Sequence, residues 1–155
     1  MKHFKMKIKS FFYKLSTLFS VENYKRNILW NHFSRKTHYL KHCLTINNLE
    51  TKIRIFWLQN EQMINDQLVM LKELDYYTCY FINKKFTFNS LEFKIAFDLV
   101  MVDLNWNVKQ LYPNFLPNQI LPIFDKLHHI FVLSVNSIKA LNIQLGDTVC
   151  VMSRN

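Results

Sequence analysis

The side chains of this 155-residue chain that could do chemistry include six histidines, three cysteines and eleven carboxylates, and their spacing supports little of it. His38 and His42 stand four residues apart, the separation that sets two imidazoles on one helix face, with Cys43 beside them. No glutamate stands between the two and no third ligand follows at a recognisable spacing, so no metal site is expected. His128 and His129 are neighbours. Adjacent residues of a strand point to opposite faces, so the pair cannot share one ion, and one buried and one surface imidazole are expected. Asp98 and Asp103 match no catalytic carboxylate pattern, and no nucleophile motif surrounds Cys79 or any serine. Cys43, Cys79 and Cys150 lack Cys-x-x-Cys spacing and read as free thiols of a reducing compartment. A glycine-rich phosphate loop is excluded by count, because Gly146 is the only glycine. The expectation is a protein that is not an enzyme, with no cofactor, metal or small-molecule substrate.

Charge is the stronger signal. Residues 1–60 hold twelve Lys and Arg against Glu22 and Glu50, a formal +10. Residues 61–155 hold eight basic against nine acidic residues, a formal −1. A basic part joined to a neutral part suggests a polyanion-binding arm on a packed body. Residues 1–21 carry Lys2, Lys5, Lys7, Lys9 and Lys14 and no acid, with Phe11, Phe12, Leu15 and Leu18 on one side. That stretch reads either as a mitochondrial targeting helix or as a basic arm laid on RNA. No run of apolar residues reaches the length of a membrane span. Abundant Asn, Lys, Ile, Phe and Tyr, with one Gly and three Pro, suggest AT-rich coding of the kind found in organelles, plasmids and some viruses.

The elements that would position these residues alternate between helix and strand. Residues 24–41 suit a helix with aromatic and basic sides. Residues 51–58 alternate Ile53 and Ile55 with Lys52 and Arg54, the sign of a strand. Asn60 is expected to cap a helix over 61–74 with Ile64, Leu68 and Leu71 as its apolar stripe. Residues 76–82 and 86–88 read as a hairpin about Asn83-Lys84-Lys85. Ser90 is expected to cap a further helix through Leu91, Ile95, Leu99 and Val102. Pro117 is expected to open a short helix that Pro122 interrupts. Strands close the chain at 130–135 and 148–152. The resulting fold class is α+β.

His128-His129-Ile130-Phe131-Val132, followed by Ile143-Gln144-Leu145-Gly146-Asp147-Thr148-Val149-Cys150-Val151, resembles the end of the RNA-binding domain of the ribosomal small-subunit protein four family. That domain closes with a His-Ile-apolar-Val strand, a loop, a Gly-Asp turn and a short strand. Leu91-Glu92-Phe93-Lys94-Ile95 is similar to the Leu-Glu-x-Arg-Leu opening of the family's first helix, with Lys for Arg. Lys109-Gln110-Leu111 is similar to its Arg-Gln-Leu run but falls too early, before Pro113, Pro117 and Pro122. The glycine between the family's two histidines is missing.

The resemblance implies a basic, mainly helical N-terminal part, residues 1–60, and a body over 61–155. Within that body, at about 91–151, it implies a small RNA-binding domain of a helix pair and a β-hairpin. Lys94 and Lys109 would lie on the helical face, Lys126, His128 and His129 at the start of the strand, and Lys139 in the loop. Gly146 would allow the turn and Asp147 would hold it through backbone amides. Lys25, Arg26, Arg35 and Lys36 would reach neighbouring RNA, with Trp30, Phe33 or Tyr39 stacking on unpaired bases. The implied function is a structural constituent of a mitochondrial small ribosomal subunit, organelle-encoded, with ribosomal RNA and neighbouring ribosomal proteins as partners. Two other classes remain open. One is an accessory subunit of an organellar respiratory complex. The other is a small subunit of a plasmid or viral RNA polymerase.

Overall fold

Asparagine does in this chain what glycine does in most. The computed structural model describes residues 42–83, 90–121 and 127–153. Strand β1 (His42–Ile46) turns into β2 (Leu49–Leu58) through Asn47 and Asn48, at φ of 50° and 65°. Two consecutive positive φ angles give the two-residue turn whose twist matches that of its strands. Asn114, Asn118, Asn136 and Asn142 also take positive φ, as does Gly146 at 90°. Asn visits this region more easily than other residues with a side chain, so the chain turns sharply with a single glycine.

After β2, Asn60 caps helix α1 (Glu61–Ile64), accepting the Met63 N–H at 2.8 Å, and the chain widens into a π turn over Asn65–Val69. Strand β3 (Thr78–Asn83) then lies parallel to β2. Strands β4 (Phe97–Val102) and β5 (Val108–Phe115) form an antiparallel pair. Strand β6 (His129–Leu133) lies antiparallel between β3 and β4. The short helix α2 (Ser137–Ala140) leads to β7 (Val149–Ser153), which pairs with β1. The strand order is β5-β4-β6-β3-β2-β1-β7.

The two outer strands of this order meet. Asn107 bridges to Thr148, Val108 N–H donates to the Asp147 carbonyl at 2.8 Å, and Val149 N–H donates to the Trp106 carbonyl at 2.9 Å. The sheet therefore curls into a barrel closed at that point. Its inner face buries residues from all seven strands, among them Leu44, Ile53, Phe81, Val100, Val108, Phe131 and Val149. Its outer face carries Tyr80, Ile82, Phe97, Leu99, Ile130 and Val132, covered by Ile64, Leu68, Phe93 and Leu121. Phe81, Phe97 and Phe131 are fully buried, each contributing about 1.5–3 kcal/mol by the area it removes from water.

One buried carboxylate ties the barrel together. Asp98 of β4 accepts the Asn114 N–H at 2.9 Å, where the register of β5 slips, and the Ile138 N–H of α2 at 2.8 Å. The Ile138 amide is buried and would otherwise have no partner there.

The expected α+β class with a helix pair is overturned. The described residues form a seven-stranded mixed sheet with two helices of four residues each and one π turn. The helix expected from Ser90 to Val102 is a turn followed by β4, all six of whose residues are buried because both faces of the sheet are covered. A strand buried on both sides shows an unbroken apolar run, which contains helical spacings by chance. Ser90 caps nothing helical. It is buried, and its hydroxyl accepts the Gln119 N–H at 2.9 Å. The helix expected over 61–74 is cut to α1 and the π turn. At Pro117 the chain makes a turn, with Asn118 at φ 61°. Strand β3 pairs with β2 and β6, and the hairpin strand expected at 86–88 lies outside the described residues. The late strands stand at β6 and β7. The sheet also includes β1 and β2, so the packed body begins before residue 61. The helices expected over 1–21 and 24–41 lie outside the described residues.

Candidate functional site: an imidazole among aromatic rings

Alternation along β6 turns His129 toward the same side as Phe131, the inner face, at the end of the barrel where the β4–β5 turn folds over. Its ring stacks on Trp106, with centroids 4.6 Å apart and planes at 18°. Phe81 lies 5.1 Å from it, and Trp57 meets Phe81 edge-on at 5.3 Å. Trp57 is half exposed, whereas Phe81 and Phe131 are core. The His129 Nδ1 atom is buried and has no hydrogen-bond partner among the described residues. Burial, with a smaller contribution from the neighbouring His128, holds the His129 pKa below the ordinary histidine value. At neutral pH the ring is therefore uncharged.

The turn that carries Trp106 is built on Asp103. One carboxylate oxygen accepts the N–H groups of Asn105 and Asn107, each at 2.9 Å, and the other lies 3.2 Å from Lys109 Nζ. Burial pushes the Asp103 carboxyl up, but the amides and Lys109 outweigh it and hold the pKa below the ordinary aspartate value. Trp106 itself sits at φ 66°, a backbone conformation that bulky residues rarely adopt. Such outliers gather at functional sites.

Among the described residues, the lysines expected to bind RNA do not converge. Lys109 is exposed on β5 but paired with Asp103. Lys94 is exposed in a loop whose Phe93 packs on the outer core, and Lys139 is exposed on α2, whose Ile138 packs on the inner core. They stand on opposite sides of the sheet. His128 and His129 are both partly buried rather than one in and one out. Lys25, Arg26, Arg35, Lys36 and Lys126 lie outside the described residues, as do Trp30, Phe33, Tyr39 and His38. Gly146 and Asp147 form the closing turn. The Asp147 carboxylate accepts Gln144 N–H at 2.7 Å and Asn47 Nδ2 at 3.0 Å, and these bonds, Asn47's first, lower its pKa. Over residues 42–155, ten basic side chains stand against ten acidic ones, a formal charge of zero.

Trp106 and Trp57 are site residues that spacing alone does not reveal. Asp103-Leu104-Asn105-Trp106-Asn107 between two apolar runs is a turn signal, hidden by the helix expected just before it. Chemistry elsewhere is sparse. Burial raises the Cys79 thiol far above its ordinary pKa against a hydrogen bond from Val132, which makes it unreactive. No three His, Cys, Asp or Glu side chains among the described residues could hold a metal. Among them, no helix is long and apolar enough to cross a membrane.

No family model matches the chain, and no curated protein matches it. Two solved structures share its fold. One is a proposed transcription regulator from Sinorhizobium meliloti 1021, with a TM-score of 0.61 and 11% identity over 73% of this chain and 95% of that one. The other is a protein of unknown function from Novosphingobium aromaticivorans DSM 12444, with a TM-score of 0.58 and 18% identity over 72% of this chain and 84% of that one.

Proposed function

We propose that the protein binds RNA without catalysing a reaction, and that its first forty-one residues supply the charge for binding while the barrel serves as a protein-contacting body. The observation that carries this reading is the partition of charge. Residues 1–41 hold ten basic side chains against Glu22, whereas residues 42–155 hold ten basic against ten acidic side chains and sum to zero. Phosphate binding draws on clustered Lys and Arg. In the barrel, Lys94, Lys109 and Lys139 are scattered, and Lys109 is neutralised by Asp103. In its narrower form the proposal is a constituent of a mitochondrial small ribosomal subunit. The AT-biased composition and the basic N-terminal stretch favour it. The helix-pair RNA-binding domain is no part of it.

The test compares two sets of charge-neutralising variants of the full chain in an RNA-binding titration at several salt concentrations. Replacing Lys25, Arg26, Arg35 and Lys36 by Gln should weaken binding and flatten its salt dependence by roughly 0.7 to 0.9 log units for each phosphate no longer neutralised. Replacing Lys94, Lys109 and Lys139 by Gln should change neither. The reverse pattern, or no salt-dependent binding at all, refutes the proposal. Sedimentation of the endogenous protein with the small ribosomal subunit, abolished by RNase, tests the narrower form. Migration with a respiratory complex or a polymerase rejects it.

A further inference from the structure

We propose that the seam closing the barrel is an acid-sensitive latch, in which a proton taken up by His129 frees the Trp106 turn and opens the β5–β7 junction while the rest of the sheet stays paired. This goes beyond the RNA reading and does not rest on it. The first observation is how little holds the seam. Strands β1 and β7, β2 and β3, and β4 and β6 each pair at five positions, whereas the seam has one bridge, Asn107 to Thr148. Its backbone bonds are Val108 N–H to the Asp147 carbonyl at 2.8 Å, Gly146 N–H to the Val108 carbonyl at 2.9 Å, and Val149 N–H to the Trp106 carbonyl at 2.9 Å. All three end on Trp106 or Val108, so the seam is no firmer than the turn that presents them.

The second observation is what holds that turn. Asp103 accepts the Asn105 and Asn107 amides, and the Trp106 ring lies flat on His129 at 4.6 Å. Trp106 has a φ of 66°, which a bulky residue keeps only where its surroundings impose it. The stack on His129 is such a constraint, and losing it lets the backbone relax and withdraw the carbonyl that Val149 uses.

The third observation is that the stack suits only a neutral imidazole. The His129 Nδ1 atom is buried without a partner among the described residues, so the single proton of the neutral ring belongs on Nε2. An imidazolium carries an N–H at both nitrogens, and the one at Nδ1 would be buried with no acceptor. Around the ring, β3 presents Phe81 and, opposite in register, Asn83, and β4 presents Val102. The charged and titratable groups beside it are His128, with ring centroids 6.5 Å apart, and Asp103 with Lys109 on the turn. The one carboxylate among these already binds Lys109 and two amides. Phe81 and Phe131 are core and stay in place, so the charged ring reaches water by parting from Trp106. Burial first, then His128, lower the His129 pKa in the closed form. The latch is therefore fully closed above about pH 6.5, and the opened form takes up the proton first as pH falls. Opening leaves the Val108 and Val149 amides as an unpaired strand edge.

The test is native-state amide exchange of the full chain between about pH 7.5 and 5, with each rate normalised for the intrinsic effect of pH. The Val108, Gly146 and Val149 amides should be less protected than those of the central β3–β6 ladder at every pH, which makes their opening local. Below about pH 6.5 their protection should fall by up to about tenfold per pH unit, the dependence set by one extra bound proton. His129→Phe keeps a ring against Trp106 and should remove this dependence, whereas His128→Gln should retain it. If His129→Phe does not fold, the parent and His128→Gln profiles decide. Seam protection that is flat with pH or equal to that of the central ladder overturns the proposal. So does a pH dependence that survives in His129→Phe or vanishes in His128→Gln.

Discussion

Replacing Asp98 by Ala should be among the most damaging single changes in the barrel. The side chain is 1% exposed and accepts two backbone N–H groups, from Asn114 at 2.9 Å and Ile138 at 2.8 Å. Removing the carboxylate leaves the buried Ile138 N–H with nothing to bond, while the N–H of Asn114, an exposed residue, can turn to water. A buried donor left unpaired costs about 1–3 kcal/mol, so Asp98→Ala should lose roughly 1–3 kcal/mol. Against a total stability of about 5–15 kcal/mol for a domain, that is a large share. Asp98→Asn retains one acceptor oxygen and turns an amide toward the other donor, so it should lose about half as much. Urea unfolding of the three proteins measures the differences, with an unchanged slope required for the comparison. Amide exchange should rise first at Ile138 and Asn114. If Asp98→Ala stays within about 0.5 kcal/mol of the parent, the carboxylate does not tie β5 to α2, and the reasoning fails.

Stability should depend on pH through His129. Its folded pKa is depressed, chiefly by burial, so the unfolded chain takes up the proton first as pH falls below about 6.5. The contribution is therefore complete above that pH and lost as pH drops through the folded pKa. His129→Phe should flatten this part of a melting-temperature profile, and an unaltered slope would assign the effect to other groups. Thiol labelling should modify Cys150, which is partly exposed, before Cys79, whose reaction should wait for unfolding. Fast native-state labelling of Cys79 would contradict its burial. At the β1–β2 turn Asn48→Gly should be nearly neutral, while Asn48→Val should cost about 1–2 kcal/mol because its φ is positive. Equal stability of the two, by urea unfolding, would show that the turn relaxes.

Local chemistry legible in the residues themselves carried over into the fold. The alternation of Ile53 and Ile55 with Lys52 and Arg54 is a strand, Asn60 is a cap, and Gly146-Asp147 is a turn held by backbone amides. Each depends on interactions within a few positions, or on a period that one exposed face preserves. The division of charge between the first forty-one residues and the barrel is likewise a property of sequence alone. The central strands were different. Phe97–Val102 is apolar at every position but Asp98, because its neighbours cover both faces, and such a run carries no period to separate strand from helix. Only the pairing of β4 with β5 and β6 decides it. The same holds for the site. Trp57, Phe81, Trp106 and His129 are distant in sequence and become neighbours when the parallel crossover and the barrel closure bring their strands together. Contacts between residues far apart in the chain leave no local signature, so chain order specified the turns and the charge, while tertiary pairing assembled the barrel and its aromatic mouth.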